Sequence, residues 1–346
     1  MTLAQQSVQN SYFSSSEALL HHIADSHRHI LKIEPHHLNN LETVLQRFET
    51  HDSYLVSPTY LGLTGRRGLW VFTMMETVLV FCLHPNLKDS ILVFPPLGKH
   101  PEKILGYFVD LYEHTNADIY LGRFENDITD LFPSPKKMSG GSFREIKETV
   151  LDWTFPVHTI DCLALSERRG NRYQKIRQAM NKFDSYDVSL KEIDFRSDQI
   201  LLQKLAHKWE IEKNDRFENY DQKLENNYFD CLMNLGKNKN TNLDGFILNI
   251  GKKPVSFIIW EKPLSKNKTA GLFASQIADQ ITSHLSTYML VKANDRIIEQ
   301  GGRFFCLGGS ETEGLDRFKR KFLPLQSLEL QSYYLEKPQY KEIVPF

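Results

Sequence analysis

The chain has 346 residues, a formal net charge of −1 at pH 7 and a pI near 6.9. This balance excludes a global basic field that would hold bulk DNA or RNA, so any contact with nucleic acid must come from a local basic patch. Hydrophobic residues make up 41% of the chain and charged residues 25%, which together with the length indicates a globular protein of two domains or one large domain.

Cysteine usage and the apolar segments favour a cytoplasmic protein. The four cysteines lie far apart and form no CxxC pair or Cys/His cluster at metal-ligand spacing, so we expect reduced thiols and no metal site. The N-terminal residues contain no basic segment followed by an apolar one, and we read no secretory signal. The most apolar run, residues 69–83, is too short for a helix that crosses a bilayer and contains Glu76. It is better read as two strands, and peripheral membrane contact stays open.

Helical and strand patterns alternate in the first half of the chain. Apolar residues at helical spacing predict helices over residues 36–49 and 102–115. β-Branched and aromatic runs between turn residues predict strands at residues 54–63, 68–74, 77–84, 90–98 and 117–124. Proline and glycine in residues 132–141 predict a loop or hinge.

The second half repeats this mixture of elements. Strands are predicted at residues 155–165, 186–193, 243–264 (two strands around a turn at Gly251), 269–278, 303–309 and 328–336. Helices are predicted at residues 166–183, 197–213, 221–236 and 283–302. This order fits an α+β fold, with mixed sheets flanked by helices, better than a parallel doubly wound fold. We place an N-terminal lobe at residues 1–150 and a C-terminal lobe at residues 151–346.

Three stretches, taken in order, resemble a known family. They are "ILVFPPLG" (91–98), "LSERRGNRYQKIRQAMNKF" (165–183) and "RFFCLGGSETEGLDRFKRKFLP" (303–324). They resemble the tandem-GNAT family that forms the C-terminal domain of phosphatidylglycerol lysyltransferases, which is related to Fem-type peptidyltransferases. The resemblance covers roughly residues 50–335. It implies two GNAT-like lobes with an active site in a tunnel between them.

The resemblance also implies a reaction. Such enzymes transfer an aminoacyl or other acyl group to an amine or hydroxyl, and members of the membrane branch take it from aminoacyl-tRNA. No cofactor is implied. Transmembrane helices precede the domain in that branch, and we expect none here. Many members also have Arg after the Gly-Leu of the last motif, where this chain has Asp316. An acidic side chain there is expected to repel a lipid phosphate, so the acceptor stays open among a small molecule, a peptide and a lipid head group.

Lys319 is the strongest candidate for a catalytic residue. It matches the lysine of the family's Phe-Lys pair, and the resemblance implies that it binds donor phosphate and stabilises the negative charge of acyl transfer. Phe318 and Phe322, four residues apart, are expected to seat the helix in the core and aim its cations outward. The alternative is a capped surface helix with an exposed Lys-Arg-Lys run and no ligand. The residues expected to bind substrate beside Lys319 are Gly308, Gly309 and Arg320.

The basic helix at residues 166–183 is the second candidate for donor binding. Arg168, Arg172, Lys175 and Lys182 fall on one helical stripe, and Arg177 adds a further cation. A basic stripe beside an apolar one suits a phosphate-rich ligand. An ordinary amphipathic helix with solvated cations would have the same pattern.

The general base is open among several carboxylates. The catalytic candidates beside Lys319 are Glu311 and Asp279, with Glu313 and Asp316 as further possibilities. Paired carboxylates in turns more often cap helices. No glycine-rich loop follows the strand at 269–278, which argues against CoA as the donor and favours aminoacyl-tRNA. An acyl-CoA-dependent N-acyltransferase and a non-catalytic GNAT-fold protein that binds tRNA or another anion stay as alternatives.

Overall fold

Two mixed β-sheets, each flanked by helices, organise the chain. The structure is a computed structural model and describes residues 20, 28–34, 37–45, 47–48, 57–112, 117–125, 127–131, 142–146, 155–214, 226–237, 242–263, 270–278, 282–310 and 312–336. Among these residues, none of the helices is both long enough and apolar enough to cross a membrane.

The first sheet has the strand order β1-β2-β3-β4-β6-β15-β7, with β5 paired to β3. Its strands are β1 (Ile30–Lys32), β2 (Leu69–Met74), β3 (Thr77–Leu83), β4 (Ser90–Val93), β5 (Leu97–Gly98), β6 (Asp118–Phe124), β7 (Ser142–Glu145) and β15 (Gln331–Glu336). β2 and β3 confirm that the most apolar run forms two strands. Met75 and Glu76 join them with φ angles of 49° and 57°, as a tight hairpin turn requires.

The second sheet has the strand order β14-β8-β13-β12-β11-β10-β9. Its strands are β8 (Phe155–Asp161), β9 (Val188–Glu192), β10 (Leu243–Ile250), β11 (Lys253–Glu261), β12 (Ala270–Ala278), β13 (Phe304–Ser310) and β14 (Gln326–Leu328). Each sheet has one parallel pair, β4–β6 in the first and β12–β13 in the second, and the described neighbours around it are antiparallel. The two lobes therefore repeat one topology, and the prediction of an α+β fold with mixed sheets is confirmed.

One strand from the end of the chain belongs to the sheet of the first lobe. β15 follows the whole second sheet in the chain, yet it pairs with β6 and β7 in the first. The division at residues 1–150 and 151–346 therefore differs from the structure for residues 331–336, and the boundary itself lies outside the described residues. Alternation within a strand indicates which face is buried but carries no information about the neighbouring strand, so the sequence could not predict this return.

The helices form three layers around the sheets. They are α1 (Leu38–Leu45), α2 (Pro58–Thr64), α3 (Pro101–Tyr112), α4 (Ile128–Leu131), α5 (Cys162–Glu167), α6 (Gln174–Phe183), α7 (Gln199–Asn214), α8 (Asn226–Lys237), α9 (Leu285–Glu299) and α10 (Glu313–Arg320). α3 packs on the outer face of the first sheet, and α5, α6 and α9 pack on the outer face of the second. α1, α2, α7 and α8 lie between the sheets in one apolar cluster, the inter-lobe layer, which includes Tyr60, Phe94, Val157 and Cys306.

The prediction of a strand at residues 54–63 is wrong for residues 58–63, which the structure describes. Pro58–Thr64 is a helix, and residues 54–56 lie outside the described residues. Ser57 caps it by accepting a hydrogen bond from the Tyr60 N–H at 3.0 Å, and Pro58 supplies a helical φ in the first turn. The Glu261 carboxylate of the second lobe also accepts from Thr59 N–H at 3.2 Å. A partner about 200 residues away decides the local structure, which the local pattern could not indicate.

The single basic helix predicted at residues 166–183 is also wrong. The preceding strand ends at Asp161 rather than at residue 165, because Asp161 caps α5 by accepting from Ala164 N–H at 3.0 Å. Arg168 ends α5 in the left-handed conformation, and Gly170 has a φ of 82°. A 3₁₀ turn over Asn171–Tyr173 then leads into α6. Two helices replace one, so the predicted stripe does not share one helical face.

Candidate functional site

A cleft opens where the two parallel strands of the second sheet diverge. β12 pairs with β13 only from Ala270 to Leu272. β12 nevertheless stays paired with β11 as far as Ala278, and β13 stays paired with β8 as far as Ser310. The two strands therefore separate toward their carboxyl ends. Crevices at the carboxyl ends of parallel strands are common ligand sites, and we call this one the strand cleft.

The ammonium group of Lys319 lies at the end of β13. Lys319 is only 4% exposed, and its Nζ donates to the carbonyl oxygens of Gly308, at 3.4 Å, and Gly309. Both of these acceptors are backbone carbonyls, and the two bonds fix the position of the ammonium group. The expected outward aim of the cations is therefore wrong for Lys319. So is the alternative of an exposed Lys-Arg-Lys run, although Arg320 and Lys321 are exposed.

Local sequence explains why α10 forms and how it sits. Thr312 accepts a hydrogen bond from Leu315 N–H at 3.3 Å as the N-cap, and Arg317 pairs with Glu313 one turn earlier at 2.6 Å. Phe318 and Phe322 pack edge to face with ring centres 5.3 Å apart, against the core on the outer face of the second sheet. This seating turns Lys319, between them in sequence, back toward β13.

Asp316 is held between two cationic or polar partners. His158 Nε2 lies 2.7 Å from Asp316 Oδ1, and Arg320 Nε donates to Oδ2 at 2.6 Å. Burial acts to raise the pKa of Asp316, but the hydrogen bonds from His158 and Arg320 and the Arg320 charge lower it below its usual value. Asp316 is therefore a paired, ionised carboxylate. The expectation that it repels a substrate phosphate loses its basis, because its charge is already neutralised within the fold.

His158 extends this contact to the second sheet. It is fully buried on β8, and its Nδ1 lies 2.8 Å from the Ser327 hydroxyl on β14. Because a carboxylate only accepts, Nε2 carries the proton toward Asp316, and Nδ1 can accept from Ser327. Residue type alone could not single out His158, since nothing in the sequence around it indicates a partner on α10.

Ser310 is a further polar group at the strand cleft that the sequence did not indicate. It ends β13 directly after Gly309 and is fully buried, and its hydroxyl has no hydrogen-bond partner within the described residues. Buried polar groups are nearly always hydrogen-bonded, so an orphaned hydroxyl beside a cleft marks a place where a ligand can bind. The only signal in the sequence was its position after the Gly-Gly pair.

Three of the four cysteines are poorly suited to act as a nucleophile. Burial raises the pKa of Cys162 to about 12 and that of Cys231 to about 11. Burial also raises the pKa of Cys306, although Gly308 N–H, Thr159 and the Lys319 charge act in the opposite direction. All three are therefore neutral thiols at pH 7. The described part of the chain contains no group of three His, Cys, Asp or Glu side chains that could hold a metal.

The structure does not bring the predicted basic stripe to Lys319. α5 begins where β8 ends, at the Asp161–Phe304 pair, which is four to five residues, or about 15 Å, along the strand from the carbonyls that hold Lys319. The buried side chains of α5 and α6 face the core on the outer side of the second sheet, away from the inter-lobe layer. The start of the stripe therefore lies apart from the strand cleft, whereas Lys182 at its end contacts Ser283, in the segment between β12 and α9.

The individual cations of the stripe have separate surroundings. Arg168 lies 3.9 Å from Asp295, and Arg177 donates to the carbonyl oxygens of Arg168 and Gly170 at 2.6 and 2.7 Å. Lys182 donates to the Ser283 hydroxyl. The two remaining members, Arg172 and Lys175, are exposed. They form a basic surface on the outer face of the second lobe.

The structure describes only two of the four carboxylates considered for the general base. Glu311 and Asp279 lie outside the described residues, and they follow Ser310 and Ala278, the last residues of the two diverging strands. Their role stays a prediction. Glu313 is exposed and paired with Arg317, and Asp316 is paired with His158 and Arg320, so neither is poised to take a proton.

Comparison with known proteins identifies the fold. No family model matches the chain, and no curated protein matches it by sequence. A conserved protein of unknown function from Bacteroides thetaiotaomicron VPI-5482 superposes with a TM-score of 0.69 at 15% identity, over 89% of this chain and 99% of that one.

Two further solved structures carry informative names. FemX superposes with a TM-score of 0.58 at 11% identity, over 88% of this chain and 96% of its own. L-PGS from Bacillus licheniformis superposes with a TM-score of 0.56 at 13% identity, over 87% of this chain and 92% of its own. At these identities the likeness establishes the fold alone. The chain has the two-lobed, tandem-GNAT fold of these Fem-like transferases, as its three sequence motifs predict.

Proposed function

We propose that this protein is an acyltransferase that moves an aminoacyl group from aminoacyl-tRNA to an amine or hydroxyl acceptor. The observation that carries the proposal is the buried ammonium of Lys319, held by the Gly308 and Gly309 carbonyls at the strand cleft. The fold shared with L-PGS and FemX supports it, because both names belong to proteins of this transferase group.

Acyl transfer is accelerated by a fixed cation beside the carbonyl group of the ester. The acceptor nitrogen or oxygen forms a bond to the ester carbonyl carbon, and the carbonyl oxygen becomes negatively charged. The ester bond to the ribose then breaks, and the acceptor's proton moves to the ribose oxygen. A preorganised ammonium in a site with little water stabilises the oxyanion or the leaving oxygen strongly, because it needs no reorientation during the reaction.

Ser310 fits the same step. Its buried hydroxyl ends the strand whose carbonyls hold Lys319, and it can donate a hydrogen bond to an oxygen of the bound ester. Lys319 and Ser310 would thus bind the reacting group, while the basic surface of Arg172 and Lys175, on the outer face of the second lobe, would contact phosphates elsewhere on the RNA.

An acyl-CoA donor is the second candidate. α9 begins at Leu285 soon after β12, and the residue at its N-cap, His284, makes no side-chain capping bond. The first amides of a 15-residue helix suit a pyrophosphate. The absence of a glycine-rich loop before this helix favours the RNA donor.

Binding to charged RNA tests the proposal. Purified wild type, Lys319→Met and Lys321→Met are compared for filter binding of aminoacyl-tRNA and uncharged tRNA across a salt series. Methionine removes the charge and keeps the side-chain length, and Lys321 is an exposed lysine on the same segment. We expect salt-sensitive binding that prefers charged tRNA, weakened in Lys319→Met and unchanged in Lys321→Met.

Other outcomes would redirect or end the proposal. Thermal stabilisation by CoA esters but not by tRNA would replace the RNA donor with acyl-CoA. Binding of charged tRNA without any transfer of label to amines or hydroxyl compounds would indicate a binding protein without chemistry. Unfolding midpoints of the variants, measured first, separate a lost site from a lost fold.

A further inference from the structure

A second buried cation lies in the first lobe, at an irregularity of β6. Between the pairs Phe124–Gln331 and Leu121–Tyr333, β6 has one residue more than β15. The extra residue makes a β-bulge that includes Arg123, whose φ is 73°. β-Bulges re-aim side chains and are frequent beside binding sites.

The second lobe has the same irregularity on the corresponding strand. β13, like β6, is the later strand of its lobe's parallel pair, and it bulges between Cys306 and Gly308 where it pairs with β8. Gly308 has a φ of 68°. Glycine adopts this left-handed conformation freely, whereas any other residue is strained there. The first lobe thus has an arginine where the backbone favours glycine, which indicates that the side chain itself is needed.

The guanidinium of Arg123 lies in the inter-lobe layer. Arg123 is 2% exposed, and its guanidinium carbon is 4.9 Å from the centre of the Tyr60 ring and 5.7 Å from that of Phe94. Both rings belong to the inter-lobe layer, as does Cys306, which precedes the Gly308 carbonyl that holds Lys319. Arg123 of the first lobe therefore borders the same layer as Cys306 of the second, and the Lys319 charge acts to lower the pKa of that cysteine.

We propose that Arg123 binds an anionic oxygen group of the acceptor substrate, a carboxylate or a phosphate, between the lobes; this inference rests on the proposed transfer function. A guanidinium stacked on aromatic faces keeps the N–H groups of its edge in one plane, which matches two oxygens of one anion. Burial strengthens the contact because the local dielectric constant is low. Lys319 then acts at the ester, and Arg123 selects an acceptor that carries negative charge.

Three substitutions separate the side chain from the backbone. Arg123→Gly removes the guanidinium and relieves the strained φ, in the way that Gly308 does in the other lobe. Arg123→Lys keeps the charge and loses the planar edge. Arg144→Lys is the control, because Arg144 also lies over an aromatic ring, that of Tyr334 at 5.6 Å, but its side chain is 61% exposed.

The test measures anion binding without RNA. Each variant is combined with Lys319→Met, so that Lys319 does not contribute, and its unfolding midpoint is followed in sodium phosphate and in sodium acetate at constant ionic strength. General salt effects act on all variants alike. We expect a larger rise of the midpoint in the two proteins that keep Arg123, the Lys319→Met protein and its Arg144→Lys variant, than in the Arg123→Gly variant. The rise with Arg123→Lys should be intermediate.

The outcomes test whether Arg123 binds an anion and show which anion it binds. A rise that depends on Arg123 in phosphate alone assigns a phosphate-bearing acceptor, and one that depends on Arg123 in acetate alone assigns a carboxylate. An equal rise with Arg123→Gly, or no rise in the protein that keeps Arg123, would overturn the inference. Should Arg123→Gly not fold, Arg123→Lys carries the same comparison. Neither result depends on tRNA, so failure of the proposed donor remains a separate finding.

Discussion

His158 on β8 and Asp316 on α10 are joined by a contact of 2.7 Å between Nε2 and Oδ1, although 158 positions separate them in the chain. The pair ties the helix that carries Lys319 to the strand beside β13, whose carbonyls hold the Lys319 ammonium. Asp316 is therefore a positioning residue, because both of its carboxylate oxygens are bonded within the fold and hold the helix in place.

Asp316→Asn tests this role through stability. We expect the free energy of unfolding to fall by about 2–3 kcal/mol, because two hydrogen bonds to a charged group are weakened and His158 stays buried. Urea denaturation measures the change. Glu313→Gln on the same helix is the control, since Glu313 is exposed and we expect a change within about 0.5 kcal/mol. Equal effects of the two substitutions would contradict the positioning role.

The same pair predicts a dependence on acid. The pKa of Asp316 is lowered in the folded protein, so its contribution to stability is fully present above its unfolded pKa and is lost as the pH falls through the folded value. The difference in unfolding free energy between wild type and Asp316→Asn should therefore be constant near neutral pH and shrink below about pH 4. Urea denaturation over a pH series measures it. A difference that grows on acidification would contradict the assignment.

Ser57 and Glu261 join the lobes. The Ser57 hydroxyl donates to Glu261 Oε2 at 2.6 Å while it caps α2, so one side chain supports both a helix and the contact between the sheets. We expect Ser57→Ala to lower the free energy of unfolding by about 2–4 kcal/mol, the sum of a lost cap and a weakened bond to a buried carboxylate. Thr312→Ala, which removes a cap without an inter-lobe bond, should cost about 1 kcal/mol. Similar losses in the two variants would argue against the joint role.

The raised pKa values of Cys162 and Cys231 predict slow alkylation of these thiols in the folded protein. With a pKa of about 12, only about one Cys162 side chain in ten thousand is a thiolate at pH 8, and Cys231 with a pKa of about 11 is also almost wholly protonated. Iodoacetamide should therefore label the folded protein slowly and the urea-unfolded protein rapidly at these positions, as mass spectrometry of the peptides can show. Fast labelling of either in the folded state would mean that the thiol is accessible and activated.

Much of the fold was readable from the sequence, and the misses have physical causes. β2 and β3 follow from apolar β-branched runs that pack on both faces of a sheet. α2 was missed because its seven residues are stabilised by Glu261 from the other lobe. Gly170 did signal a break in the basic helix, since glycine with a positive φ interrupts helices. Ordinary local patterns cannot indicate the return of β15 to the first sheet.

The candidate site was predicted only where a motif marked it. Lys319 and the Gly308–Gly309 pair stand in the last motif, and the structure brings them together. His158 and Ser310 depend on contacts between distant elements, and Arg123 depends on a bulge whose register involves β15. A sequence shows residue types, whereas burial and partners that give them meaning come from the fold.

Ser310→Ala should separate stability from function. The Ser310 hydroxyl is buried without a hydrogen-bond partner among the described residues, so its removal should leave the free energy of unfolding unchanged or raise it by up to about 1 kcal/mol. If the hydroxyl binds the ester, the same substitution should weaken binding of aminoacyl-tRNA about tenfold, because the complex loses a buried hydrogen bond.

Thr59→Val is the matched control, because Thr59 also buries a hydroxyl that has no hydrogen-bond partner in the described part of the chain, but on α2 in the other lobe. Stability from urea denaturation should respond alike in both variants, whereas filter binding should weaken only in Ser310→Ala. Equal binding by both would remove Ser310 from the site and leave Lys319 as its described polar group.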